Sequence, residues 1–146
     1  MNQKTTLPKV NDLNPKWFVI DAAEKTLGRI ATQVADLLRG KKDVNYTEFY
    51  DHGNYVIILN ASKVRFTGKK LEDKTYYKHT GYMGHLREQT LKAKMSTKPE
   101  EVFILAVKRM LPKNKLGKKQ LERLKVFPLS EHDHQANKPT IIDLKD

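Results

Sequence analysis

The sequence predicts an α/β fold built on a strand–helix–strand unit with a parallel sheet. Three observations carry that expectation. Trp17-Phe18-Val19-Ile20 is a short apolar run ending at Asp21, as suits a buried strand. Leu27, Ile30, Ala31, Val34, Leu37 and Leu38 then recur at helical spacing and form one apolar face. Tyr55-Val56-Ile57-Ile58-Leu59-Asn60 is apolar almost throughout, the pattern of a central strand covered on both sides. Strand, helix and strand in that order imply a parallel pair joined by a right-handed crossover.

The other elements follow in order. Thr26 can cap the first helix and Gly40 can close it. Asp51-His52-Gly53-Asn54 is turn chemistry. Val64-Arg65-Phe66-Thr67 alternates and predicts a third strand ending at Gly68. Residues 69–87 have weak periodicity and predict a long loop with at most one strand, and Thr90 to Met95 reads as one or two helical turns. Pro99 opens a second strong helix, with Glu100 and Glu101 where the helix dipole favours acids, and Pro112 ends it. Leu116 to Leu124 predicts a short helix with Leu116, Leu121 and Leu124 inward and lysines outward. The chain has 146 residues, the size of one domain: an extended arm over residues 1–15, a core over 16–126 and a loop-like, mildly acidic tail over 127–146.

The formal net charge is +11, and it is segregated. Residues 1–60 hold eight basic and seven acidic side chains, residues 61–125 hold eighteen and six, and residues 126–146 hold two and four. Lys108 to Lys125 alone carries eight basic residues against one acid, Glu122. Charges this dense repel one another, and folding gives no reason to keep them. A polyanion would neutralise them and release its condensed counterions, which drives binding. Lys108, Arg109, Lys113, Lys115, Lys118, Lys119 and Arg123 are therefore expected to contact nucleic-acid phosphates, as lysine and arginine usually do. In Gly68 to Arg87, cations alternate with Tyr76, Tyr77, His79 and Tyr82. Aromatic planes can stack on unpaired bases, which is how RNA loops are usually read. Lys69, Lys70, Tyr77, Lys78 and His79 join the expected RNA-binding set. The bland alternative is tyrosines covering the sheet and lysines facing water.

Several function classes are excluded or disfavoured. There is no cysteine, hence no disulfide, thiolate zinc site or cysteine nucleophile. No apolar run approaches the roughly 20 residues of a bilayer span, and the N-terminus lacks a signal peptide's apolar stretch; a cytoplasmic protein without a membrane partner is expected. Gly68-Lys69-Lys70 has the end of a phosphate-loop pattern, but no glycine stands five residues earlier and no Ser or Thr follows the lysine. A nucleotide-using α/β enzyme would need a glycine-rich loop after the first strand, and Asp21 to Thr26 contains no glycine. Glu131-His132-Asp133-His134 could hold a metal only with a second ligand cluster, so a hydrogen-bonded loop is the expectation. Ser62, Ser96 and Ser130 have no neighbouring histidine–acid signature. No catalytic residue, metal, cofactor or small-molecule substrate is expected.

Four spaced motifs carry a resemblance. Residues 17–40, WFVIDAAEKTLGRIATQVADLLRG, are similar to the opening of the large-subunit ribosomal protein thirteen family, bacterial type. Residues 74–84, KTYYKHTGYMG, resemble its YYxHTGY loop; residues 110–117, MLPKNKLG, its MLPKNxLG motif; residues 131–136, EHDHQA, its EHxHQA tail. The resemblance implies a three-layer α/β/α sandwich around a small, mostly parallel sheet with basic loop and helical extensions. It implies a place on the large ribosomal subunit beside other ribosomal proteins, binding to the large ribosomal RNA early in assembly, and no catalysis. A regulatory module using the same surface to repress a messenger RNA is an alternative with the same residues.

Overall fold

The computed structural model describes residues 14–143. The arm expected over residues 1–15 lies outside them except for its last two residues. The elements are β1 (Trp17–Asp21), α1 (Leu27–Arg39), β2 (Tyr55–Leu59), α2 (Lys70–Asp73), β3 (Thr75–His79), β4 (Leu86–Thr90), α3 (Leu91–Thr97), α4 (Pro99–Met110), α5 (Lys115–Glu122), β5 (Leu124–Val126) and β6 (Thr140–Ile141). Short 3₁₀ turns follow β2 and precede β6. The main sheet has the order β5-β2-β1-β6, and all its pairings are parallel. A separate antiparallel ribbon joins β3 and β4.

The predicted unit is present. Trp17 aligns with Tyr55 and Asp21 with Leu59, so the two apolar runs lie side by side in full register. Because strand side chains alternate, Ile20, Val56 and Ile58 meet α1 and α4 on one face, in the same core as Ile30, Val34, Leu38, Val102 and Phe103. Val19 and Ile57 are buried on the other face. Each fully buried Ile or Phe contributes roughly 1.5–3 kcal/mol of transfer free energy. At its start the second face is roofed by the C-terminal segment: Trp17 stacks on Tyr55 at 4.1 Å, His134 lies 5.4 Å from Trp17, and Phe127 meets His134 edge-on at 5.9 Å. The result is the expected α/β sandwich with a mostly parallel sheet, the C-terminal segment forming the thin third layer.

Local chemistry explains the ends. Thr26 takes the position before α1, and Gly40 closes that helix at φ 76. A Cβ at Gly40 would lie 2.5 Å from the buried His52 ring, so glycine is required twice over. Asn54 is buried and fully used: it accepts from Lys16 N at 3.1 Å and donates to Leu37 O and Asp43 Oδ2. Pro99 starts α4 as expected, and Thr90 caps α3 by accepting from Ala93 N.

Four expectations need correction. Val64–Thr67 is no strand. Its alternation is real, with Val64 buried and Arg65 exposed, but it arises from a single bridge between Arg65 and Thr26, outside the sheet. Residues 69–87 hold one turn of helix, the one strand allowed there (β3) and the first two residues of β4, so the segment is an antiparallel ribbon running on to Thr90 rather than a long loop. The short helix starts at Lys115 and stops at Glu122, leaving Leu124 to β5. The tail is not only loop: Thr140 and Ile141 pair with Phe18 and Val19 and extend the sheet.

The α4–α5 corner is sterically tight. Asn114 Oδ1 accepts from Gly117 N at 2.7 Å and caps α5. A Cβ on Gly117 would lie 1.9 Å from the Pro112 carbonyl oxygen, so the backbones approach as only glycine allows. Gly117→Ala is expected to cost about 2–3 kcal/mol in urea unfolding. A change below about 0.5 kcal/mol would show that the corner is not closed this tightly.

Candidate nucleic-acid interface

The structure sorts the expected cations into groups by element. Lys108 and Arg109 lie on the last turn of α4, Lys113 in the corner, and Lys118 on α5. These four rim a recess of about 410 Å3 with a floor of Leu105, Leu111, Pro112 and Leu121, and no carboxylate lines it. All four are exposed, and none forms an ion pair among the described residues. Lys115 and Lys119 project elsewhere, into a shallow hollow that also holds Asp51, His52 and Phe49.

Lys70 and Arg109 meet at a second recess, of about 350 Å3, together with Arg65 and Lys74. Tyr76 lies at this recess with Lys74 and Lys94 over its ring at 5.4 and 5.2 Å. Burial pushes the Tyr76 phenol up against the opposing pull of Arg109. Lys94 is itself buried. Its ammonium reaches Glu101 at 2.9 Å, which fastens α3 and the ribbon to α4. That contact, ahead of the opposing effect of burial and helped by Lys98, holds the Glu101 carboxyl below its ordinary value.

Tyr77, Lys78 and His79 stand on β3, away from both recesses. Tyr77 is 62% exposed, and Tyr82 and Met83 at the ribbon's tip are more so. Lys78 pairs directly across the ribbon with Arg87. Like charges placed opposite each other destabilise a ribbon, and neither residue forms an ion pair among the described residues. His79 Nδ1 accepts from Gly81 N at 3.0 Å, which shapes the turn. Lys69 sits exposed at the start of α2.

Arg123 departs from the expectation. Its guanidinium makes a two-pronged contact with the Asp51 carboxylate, the Nη2–Oδ2 arm at 2.7 Å, and lies over Tyr55 at 5.8 Å. This arginine joins β2, α5 and the 51–54 turn instead of facing outward. Burial raises the Asp51 carboxyl, but the hydrogen bonds and charge of Arg123 outweigh it and hold the group below its ordinary value. Arg65, Lys74 and Arg87 do not stand out in the sequence. Arg65 reaches the site through its bridge to Thr26, 39 positions away in a register that no local pattern shows. The only sequence signal for Lys74 is its place in the basic, aromatic stretch.

His132 and His134 do not converge as ligands. His132 Nδ1 accepts from His134 N at 3.1 Å, and both rings pack against Phe127. This is the hydrogen-bonded loop expected from the sequence.

The described residues thus form an α/β block that presents unpaired cations around two apolar hollows. The family model described as ribosomal protein L13 matches residues 15–133. The chain is 52% identical to the large ribosomal subunit protein uL13 of Thermotoga petrophila over 142 residues, covering 97% of this chain and 95% of that protein. It is 52% identical to the protein of that name from Aquifex aeolicus, over 97% and 99% of the two chains. The Maridesulfovibrio salexigens protein is 49% identical over 96% and 99%. The chain belongs to the ribosomal protein L13 family, a family of structural ribosome components rather than enzymes.

Asp51 is more acidic folded than unfolded, so its pairing with Arg123 adds stability above about pH 4 that fades as pH falls through the lowered folded value. Asp51→Asn should therefore lose about 2 kcal/mol near neutrality, and the gap from the parent should close in acid. A gap that is constant from pH 7 to pH 3 would contradict the pairing.

Proposed function

We propose that this chain is a structural constituent of the large ribosomal subunit that binds the large ribosomal RNA through backbone phosphates and helps the subunit assemble in the cytoplasm. The observation that carries the reading is the rim of Lys108, Arg109, Lys113 and Lys118, four cations around one recess with no acid facing them. In a free protein such a rim is repulsive. Against folded RNA it takes its counter-charge from several phosphates at once and lets RNA segments pack closely. Lys69 and Lys70 extend the field across the second recess, and the β3–β4 ribbon carries Tyr77, Lys78 and His79 as a projecting arm toward unpaired bases. Lys115 and Lys119 add a flank on α5. The described core, from β1 through β6, works as one unit, with the basic side on α4, α5 and the ribbon and the described part of the C-terminal segment packed on the sheet. Neighbouring ribosomal proteins are the other expected partners.

The test is a salt titration with the full chain and deproteinised large-subunit ribosomal RNA. Lys108→Glu combined with Lys118→Glu should lower the slope of log affinity against log salt by about one for each phosphate that is no longer neutralised, two in all. An unchanged slope, with the fold intact by circular dichroism, would make these lysines solvent-facing surface only.

A further inference from the structure

Arg65, Lys70, Lys74 and Arg109 surround the recess that opens at the start of α1. They come from four separate places in the chain: the segment after β2, α2, the residue before β3, and the end of α4. None forms an ion pair among the described residues, and no carboxylate lines the recess. Its floor is apolar: Leu27, Phe66, Leu105, Ala106 and Met110. Gly28, in the first turn of α1, lines it as well, and nothing stands within 4 Å of where a Cβ there would sit. The volume, about 350 Å3, is near the lower end for small-molecule pockets, roughly 300–1,000 Å3.

A flat cationic surface would suffice for a double-helical backbone. An apolar floor inside a ring of cations asks for a ligand with one π-faced, poorly solvated part and one anionic part. A paired base cannot supply the first, because its faces are covered by its neighbours in the stack. An unpaired nucleotide turned out of its strand supplies both. We propose that this recess takes one extruded nucleotide of the RNA, its base against Phe66 and Met110 and its phosphate among Arg65, Lys74 and Arg109. The proposal rests on the RNA-binding reading above and adds a site of its own: the base enters, so the contact discriminates unpaired from paired RNA.

The test uses the full chain labelled with ¹³C at the methionine methyl groups and two RNA duplexes, one perfectly paired and one with a single bulged adenosine. The bulged RNA should shift the Met110 methyl upfield by ring current, the paired RNA should not, and the bulged RNA should bind about tenfold more tightly. Ala106→Phe, which fills the floor and keeps every charge, should abolish the Met110 shift. It should also bring the bulged RNA down to the affinity of the paired one, with paired-duplex affinity unchanged. If that variant unfolds, Arg65→Gln with Lys74→Gln should remove the same preference. Equal binding of both duplexes by the parent, or a preference that survives filling, overturns the pocket and leaves phosphate binding standing. Failure of both RNAs to bind in dilute salt would instead count against the RNA reading itself. A Met110 shift caused by hexaglutamate and not by bulged RNA would assign the recess to an acidic protein segment and refute the nucleotide.

Discussion

The basic side of this protein depends on keeping like charges close without letting them pair within the fold. Eighteen basic and six acidic residues crowd positions 61–125, and the acids there are placed so that few of them answer the cations. Glu101 is taken by Lys94 and Lys98, at the far end of α4 from Lys108 and Arg109. The repulsion that remains must be borne by apolar packing. Val102, Phe103 and Val107 on the inner face of α4 are fully buried, and they hold Lys108 and Arg109 in place at the end of the helix.

Two devices set the geometry of that field. The corner at Pro112–Gly117 brings α5 back against the end of α4, with Asn114 as its cap, so that Lys113 and Lys118 face Lys108 across a hollow. Arg109 and Leu105 line both recesses, one on each side of α4. The helix end therefore works as a ridge between two basic hollows. The Asp51–Arg123 pair acts at a distance from this ridge, holding the start of β2 to the end of α5. The same residue type thus serves as a strut at one position and as an unpaired, exposed cation at another. What separates the two is whether a carboxylate lies within reach.

The strand–helix–strand unit was legible because each part shows an unbroken pattern: Val56, Ile57 and Ile58 are buried on both faces, and the α1 face repeats without a gap. β4 could not be read, since none of its five residues is buried and no alternation survives. β5 was hidden because Leu124 continues the spacing of Leu116 and Leu121, so the strand looked like the end of the helix. β6 is two residues long, and only its neighbour β1 makes it a strand. At the interface, counting charges located the cationic region, and it could not say which cations were already taken. Arg123 finds Asp51 across 72 positions, and Arg65 joins Lys74 and Arg109 only through tertiary packing.

Lysine reactivity tests the central claim most directly. The full chain is acetylated alone and in complex with deproteinised large-subunit ribosomal RNA, and each lysine is quantified by mass spectrometry. The account predicts strong protection of Lys70, Lys74, Lys108, Lys113 and Lys118, with Lys41, which pairs with Asp36 on the opposite end of α1, reacting equally in both states. Equal reactivity of the five lysines with and without RNA, or no complex in dilute salt, would contradict it.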